Sequence, residues 1–132
     1  MTCLLDTHAF LWSAMAPEKL SSKMRAVIAD TTNEIHVSTI TFWEISLKFS
    51  LGKLELIGCS PEELVATAGQ MRLEISAPSA EETGGFHRLP KFTHKDPFDR
   101  MLIWQCLQHR WTLITRDRGL DQYLALGLRT AW

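Results

Sequence analysis

The sequence predicts an α/β fold of three layers, in which a parallel sheet of about five strands is flanked by helices. Two observations lead to this prediction. Short apolar runs of strand length alternate along the chain with longer segments of helical spacing. This alternation is typical of parallel sheets that helices cover on both faces. In addition, acidic residues directly follow apolar runs, which places them at the sheet edge where open α/β folds bind ligands.

The size and composition of the chain predict a single domain that spans residues 1–132. The sequence is 45% hydrophobic, which is sufficient for one proper core. Its three cysteines have no paired spacing, which fits a reducing cytoplasm better than a disulfide framework, and Cys3 and Cys106 are expected in the core because they lie in apolar runs. The sequence shows neither a secretory signal nor an apolar run long enough for a bilayer, and we expect no membrane association.

The predicted strands are short apolar runs that end at turns or at acids. They cover residues 2–5, 35–38, 73–75, 112–115 and 128–131. Asp6 directly follows the first strand, and Asp117 lies just beyond the fourth. Because the carboxyl ends of parallel strands meet at one edge of the sheet, both acids are expected there.

The predicted helices are recognised by their apolar spacing and by their start and stop residues. They cover residues 7–15, 18–29, 39–51, 60–70, 79–84, 96–109 and 120–126. Gly52 closes the third helix. Ser60 before Pro61 is a strong start signal, with an N-cap followed by proline at the first helical position.

Glu44 interrupts an apolar stripe on the helix predicted for residues 39–51. Ile40, Leu47 and Leu51 share its face by their helical spacing. We therefore expect a buried carboxylate, which is costly unless a positive group meets it. The alternative is a surface ion pair with Lys48 one turn later.

Two acids at the start of the helix at residues 96–109 have different expected roles. Asp96 before Pro97 reads as an N-cap, with a further role as support for the site. Asp99 shares a face with Leu102 and Cys106, so it points toward the core edge. The positive end of the helix also favours a carboxylate at that place.

Asp6, Glu44, Asp99 and Asp117 together suggest a shared cation. Any one of these acids has an ordinary explanation, such as capping for Asp6 or Asp117, but four such placements in one small chain favour a common site. A ligand set made only of oxygen atoms suits a hard cation, Mg²⁺ or Mn²⁺, which also binds phosphate. Zinc is not expected, because no Cys or His pair has suitable spacing.

The charge distribution adds a weak indication of an anionic ligand. The formal net charge is −1, yet seven of the 14 basic residues lie between Arg88 and Arg118, against three acids. If those acids neutralise a metal ion, the rest of the segment presents positive charge to an anion. For a charge cluster alone, a solvated surface is the more common explanation.

Four segments, in order, resemble the PIN-domain ribonucleases, and most closely the VapC-type toxins of bacterial type II toxin–antitoxin pairs. The segments are DTHAFLW at residues 6–12, TFWEISLKFSLGKLEL at residues 41–56, HKDPFDRMLIWQC at residues 94–106 and LITRD at residues 113–117. The resemblance covers nearly the whole chain. Each motif is weak by itself, whereas four in the expected order are specific.

The resemblance implies roles for individual residues. Asp6, Glu44, Asp99 and Asp117 match the family's four catalytic, metal-binding acids. Hydroxyl side chains match positions that line such sites, namely Thr7, Ser38 and Thr115. The family's fold is a parallel sheet of about five strands wrapped by helices. Its members usually form homodimers and are neutralised by a cognate antitoxin protein.

The function implied is Mg²⁺-dependent endoribonuclease activity of a cytoplasmic toxin. A metal-activated water would attack an RNA phosphodiester, with Glu44 as a further ligand or as the base. The basic residues expected to contact the RNA backbone are Arg100, Arg116 and Arg118. The alternative is a catalytically inactive PIN-like binding module whose acids only cap helices.

Overall fold

A five-stranded parallel sheet forms the centre of the molecule, and the computed structural model describes all of residues 1–132. The strands are β1 (Thr2–Leu5), β2 (Glu34–Ser38), β3 (Glu74–Ser76), β4 (Thr112–Ile114) and β5 (Arg129–Ala131). Their order across the sheet is β3-β2-β1-β4-β5. The chain thus builds outward from the central β1 to β3 and then returns to the other side of β1. This reversal creates a switch point between β1 and β4, where open sheets form ligand crevices.

Seven α-helices connect or follow the strands. They are α1 (Thr7–Met15), α2 (Ser22–Ala29), α3 (Thr39–Ser50), α4 (Pro61–Gln70), α5 (Ala80–Gly85), α6 (Pro97–His109) and α7 (Asp121–Leu124). Two short 3₁₀ segments, Pro17–Lys19 and Phe86–Arg88, precede α2 and follow α5. None of the helices has the length and hydropathy that a membrane crossing requires.

The central strand separates two hydrophobic cores, one on each face of the sheet. Cys3 and Leu5 belong to the first core, together with Phe10 of α1. Leu4, which points to the opposite face, belongs to the second core with Ile103 of α6. Because both faces of β1 are covered, Cys3, Leu4 and Leu5 are fully buried. The predicted three-layer α/β fold is therefore confirmed.

Helix starts follow the cap residues that the sequence indicates. The Ser60 hydroxyl accepts a hydrogen bond from the Glu63 N–H at 3.2 Å, and Asp96 accepts one from the Phe98 N–H at 2.8 Å. Gly52, just after α3, has a φ of 70°, a left-handed conformation that glycine adopts without a Cβ clash. The predicted capping roles of Ser60 and Asp96 are confirmed.

The helix predicted for residues 18–29 is divided in the structure. Leu20 is buried and has extended backbone angles, and α2 begins only at Ser22. The Ser21 hydroxyl caps it by accepting a hydrogen bond from the Met24 N–H at 3.1 Å. Burial of Leu20 and this local cap outweigh the continuous helical pattern. The last helix is also shorter than predicted, covering four residues instead of seven.

Candidate metal and nucleic-acid site

A cavity of about 870 Å³ opens at the carboxyl ends of β1 and β4. Three of the four predicted acids line it: Asp6, Asp99 and Asp117. They come from three separate parts of the chain, namely the end of β1, the first turn of α6 and the loop after β4. The parallel sheet brings them together because the ends of its two central strands are neighbours. Glu44 is not among the residues of the cavity wall.

Asp6 joins β1 to α1. One carboxylate oxygen accepts a hydrogen bond from the Ala9 N–H at 2.7 Å, so the side chain caps α1. Burial raises the pKa of Asp6 above its ordinary value, and the negative charge of Asp117 adds to this effect. Hydrogen bonds from the Thr115 hydroxyl and the Ala9 N–H act in the opposite direction. Asp6 therefore both caps α1 and lines the acidic cavity.

Asp99 lies in the first turn of α6, directly behind its N-cap Asp96. Burial and the nearby charge of Asp96 raise the pKa of Asp99 to about 6, although a hydrogen bond with His94 partly offsets the rise. The charge of Glu44 also contributes to the increase. Asp96 has its carboxylate committed to the N–H groups of Phe98 and Asp99, and it does not line the cavity.

His94 lies between two of the acids. Its Nε2 is 3.1 Å from Asp99 Oδ2, and its Nδ1 is 3.8 Å from Asp117 Oδ2. Asp117 itself accepts a hydrogen bond from the Gly119 N–H at 2.8 Å, in a turn rather than as a helix cap. The sequence analysis assigned no role to His94 and so missed this position. Its place two residues before the Asp96–Pro97 helix start was the available signal.

Glu44 is buried, with only 3% of its surface exposed. Its Oε1 accepts a hydrogen bond from the Thr7 hydroxyl at 2.6 Å, and its Oε2 pairs with the Lys48 ammonium. The burial predicted for Glu44 is therefore correct. The ion pair with Lys48 also forms, but with a buried carboxylate and not at the surface as the alternative had it. The prediction that Leu47 and Leu51 share a buried face with Glu44 is wrong, because both leucines are exposed.

Lys48 supplies the positive charge that a buried carboxylate needs. Burial lowers the pKa of Lys48, but the contact with Glu44 and the charges of Asp96 and Asp99 outweigh burial and raise it. Lys48 on α3 therefore partly neutralises the negative charge of Glu44, Asp96 and Asp99. Both carboxylate oxygens of Glu44 already have partners, and Glu44 does not line the cavity. Its role therefore differs from that of the three acids in the cavity.

The three hydroxyl residues implied by the resemblance have different positions. Thr115 lines the cavity and accepts a hydrogen bond from the Asp117 N–H at 3.1 Å. Thr7 reaches Glu44 and lies 3.3 Å from the Thr41 hydroxyl. Ser38 is fully buried, caps α3 and donates to Gln105 at 2.6 Å. Ser38 is thus committed within the core and does not line the cavity.

Of the three predicted RNA-binding arginines, two line the cavity and one does not. Arg116 and Arg118 are exposed and line the cavity beside Asp117. Arg100 instead donates to the carbonyl oxygens of Leu89 and Pro90 at 3.1 and 3.2 Å, and its guanidinium stacks over Phe86. These contacts fasten the loop before α6, and Arg100 does not line the cavity. The structure therefore does not favour the RNA role considered for Arg100.

The chemistry of the cavity fits a hard divalent cation. Asp6 and Asp99 have raised pKa values because of burial and neighbouring carboxylates, and an added positive charge would relieve both effects. The donors are carboxylate oxygens, which Mg²⁺ and Mn²⁺ prefer. In this conformation no three acidic, histidine or cysteine side chains converge closely enough to ligate one ion.

Sequence comparison identifies the family. Residues 3–125 match the PIN domain family. Over 131 residues the chain is 28% identical to Ribonuclease VapC22 of Mycobacterium tuberculosis strain H37Rv. That similarity covers 99% of this chain and 98% of the relative.

Solved structures share the fold at lower identity. A chain in the crystal structure of VapBC2 from Rickettsia felis, bound to a promoter DNA fragment, matches with a TM-score of 0.69 at 18% identity, covering 99% of this chain and 98% of that one. A chain of VapBC-1 from nontypeable Haemophilus influenzae gives a TM-score of 0.64 at 16% identity, covering 99% and 97%. These likenesses concern the fold. The family match spans nearly the whole sequence, and the chain belongs to the PIN domain family.

Proposed function

We propose that this chain is a metal-dependent endoribonuclease, the toxin of a type II toxin–antitoxin pair. The observation that carries the proposal is the meeting of Asp6, Asp99 and Asp117 in one cavity with Arg116 and Arg118 at its rim. Carboxylates that hold a hard cation beside arginines that hold phosphate are the components needed to cleave a phosphodiester. The similarity to Ribonuclease VapC22 supports RNA as the substrate.

Asp6, Asp99 and Asp117 are the residues that would hold Mg²⁺ or Mn²⁺. When bound, the cation would supply a water of lowered pKa and positive charge for the leaving oxygen. Because His94 separates Asp99 from Asp117, joint ligation of one ion by these two acids requires the imidazole to move aside. Thr115 holds the backbone N–H of Asp117 and so orients that carboxylate.

Glu44 has a positioning role in this proposal. Its carboxylate receives the hydroxyl of Thr7, the residue next to Asp6, and is fixed from the other side by Lys48. Glu44 therefore anchors the start of α1, where Asp6 enters the cavity. Direct ligation or base catalysis by Glu44 would first require the loss of one of these two contacts.

An antitoxin protein and a second copy of the chain are the proposed protein partners, and the proposed place of action is the cytoplasm. Structures named VapBC share the fold, which supports an antitoxin partner. Large apolar side chains on α3 and just beyond it are exposed, namely Trp43, Leu47, Phe49 and Leu51. A group of exposed apolar residues of this kind is typical of a protein–protein interface.

Cleavage of RNA by purified variants tests the catalytic proposal. The wild-type chain should cut RNA with Mg²⁺ and not with chelator, and Asp6→Asn and Asp99→Asn should each lose the activity. Asp30→Asn is the matched control, because Asp30 is an exposed acid outside the cavity. Mg²⁺-dependent cleavage retained by Asp99→Asn, after identical purification, would contradict the proposal.

Induced expression separates the toxin from the alternative of an inactive binding module. The toxin should arrest growth and create new RNA 5′ ends, and Asp6→Asn should do neither. An inactive module should bind RNA equally well with and without Mg²⁺ and produce no new ends. One observation favours the inactive module: in this conformation no three acidic, histidine or cysteine side chains are close enough to ligate one metal ion.

A further inference from the structure

Aromatic rings form one wall of the acidic cavity. We call Trp12, Trp132 and His8 the aromatic wall, and all three line the cavity with Asp6, Asp99 and Asp117. The rings of Trp12 and Trp132 are 5.7 Å apart in an edge-to-face arrangement. The ring of His8 is 5.6 Å from Trp12, one helical turn away on α1. Stacking surfaces and acidic groups therefore share one opening.

Trp12 has little structural use in the core. It packs against neither hydrophobic core, although Phe10 is a member of the first core and both Leu11 and Trp132 pack against that core. It is half-buried, and its aromatic partners are the two other rings of the wall. A large indole held at a polar cavity by other cavity residues is better explained by a ligand than by core packing.

Arg116, one of the two arginines at the rim of the cavity, also lies beside the aromatic wall. Its guanidinium carbon is 6.0 Å from the centre of the Trp12 ring, and Arg116 lies next to Asp117 in the chain. A positive charge beside an aromatic face, within reach of carboxylates that would hold a metal ion, suits a ligand with both a flat base and a phosphate.

The geometry points to the aromatic wall as a stacking platform for one unpaired RNA base beside the phosphate that is cleaved. This inference rests on the proposed function and adds to it a contact between Trp12 and one base of the substrate. In a duplex each base is stacked and paired within the helix, so its face is not available to a side chain. An unpaired base has a free face, and indole rings stack on any of the four bases.

Base stacking can be measured without cleavage. All proteins carry Asp99→Asn, and chelator is present, so the RNA stays intact and one repelling charge is removed. The probe is a short oligouridine with a single 2-aminopurine, moved along the strand in successive oligonucleotides. Fluorescence quenching identifies the stacked position, and fluorescence anisotropy gives the affinity for each single strand and for its fully paired duplex.

We expect one position to be quenched in the single strand and none in the duplex. Trp12→Leu should abolish that quenching and weaken binding about tenfold, within the range found for loss of one base–aromatic contact. Trp12→Phe should keep most of both signals. The control is Trp111→Leu, because Trp111 is half-buried like Trp12 and does not line the cavity; it should leave both signals unchanged.

An abasic nucleotide at the quenched position provides a test that leaves the protein unaltered. It should reproduce the loss caused by Trp12→Leu, and the two changes together should give no further loss, as expected for partners in one contact. Independent, multiplying losses would overturn the inference even if Trp12→Leu folds poorly. So would unchanged binding by Trp12→Leu, equal loss in Trp111→Leu, or equal affinity for duplex and single strand.

The outcomes distinguish this inference from the proposed function. If the wild-type chain neither cleaves nor binds RNA, both fail. If wild type cleaves RNA with Mg²⁺ while Trp12→Leu keeps full affinity and quenching, only the stacking platform fails.

Discussion

At the scale of single residues, the ionisation of Asp99 opposes folding when no metal is bound. Its pKa is about 6 in the folded chain, compared with an ordinary value of 3.8. The folded state therefore binds the proton more tightly than the unfolded state does. Stability from this group is present below about pH 4 and is lost as the pH rises through about 6.

Asp99→Asn should therefore stabilise the metal-free chain at neutral pH. Asparagine carries no charge, so the cost of a buried carboxylate near Asp96 disappears above pH 6. Thermal unfolding in chelator should show a higher midpoint for Asp99→Asn than for wild type at pH 7.5, and no difference at pH 4. A variant less stable than wild type at pH 7.5 would contradict this expectation.

Lys48 should be important for stability although it is partly exposed. Lys48→Met leaves the buried Glu44 carboxylate with the Thr7 hydroxyl as its remaining partner. Loss of one partner of such a pair leaves a poorly compensated charge, and we expect about 2 kcal/mol of destabilisation in urea unfolding.

Two variants control the Lys48 measurement. Lys53→Met removes an exposed lysine that forms no ion pair and should have little effect. Combining Lys48→Met with Glu44→Gln should recover most of the lost stability, because glutamine is neutral and still accepts the Thr7 hydrogen bond. Equal destabilisation by Lys48→Met and Lys53→Met would show that the ion pair contributes nothing.

At the scale of elements, the start of α6 determines both helix stability and the charge beside Asp99. Asp96 accepts hydrogen bonds from the N–H groups of Phe98 and Asp99, and its charge raises the pKa of Asp99. Asp96→Ala should cost about 1 kcal/mol of stability, the usual value for a lost cap. Asp96→Ser should retain the cap.

The same pair of variants should change the pH dependence of metal binding. Both remove the negative charge and so lower the pKa of Asp99, which allows Mn²⁺ to compete with the proton at lower pH. Calorimetric titration from pH 5 to 8 should show the loss of Mn²⁺ affinity at lower pH in both variants than in wild type. If Asp96→Ser behaves like wild type, Asp96 does not influence the site through its charge.

Elements with local signals were predictable from the sequence, and those that depend on distant contacts were not. The caps of α4 and α6 involve residues two or three positions apart, and both were anticipated. The break at Leu20 depends on burial of that side chain, which a helical pattern does not reveal. Likewise, whether Leu47 and Leu51 face a neighbour depends on the placement of other helices.

At the scale of the whole molecule, strand–helix alternation was sufficient to predict the parallel sheet and the edge where Asp6 and Asp117 meet. The alternation could not predict the directions of individual side chains in and near the loops. Arg100 was expected at the RNA but turns toward the carbonyl of Leu89, and His94, the first residue of the HKDPFDR segment, enters the acidic cavity. Such side-chain placements depend on tertiary contacts, here of Arg100 with Leu89 and of His94 with Asp117, which spacing along the sequence does not reveal.

Metal binding should stabilise the whole fold, because the three acids connect the central strand, the strand beside it and α6. A cation bound only by the folded state stabilises that state by mass action, by about 2.7 kcal/mol at one hundred times the dissociation constant. We expect Mn²⁺ to raise the thermal midpoint of wild type, and chelator to reverse the rise. Asp117→Asn should lose most of the effect, whereas Asp30→Asn, a change outside the cavity, should retain it. An equal rise in Asp117→Asn would mean that Mn²⁺ stabilises the chain at another place.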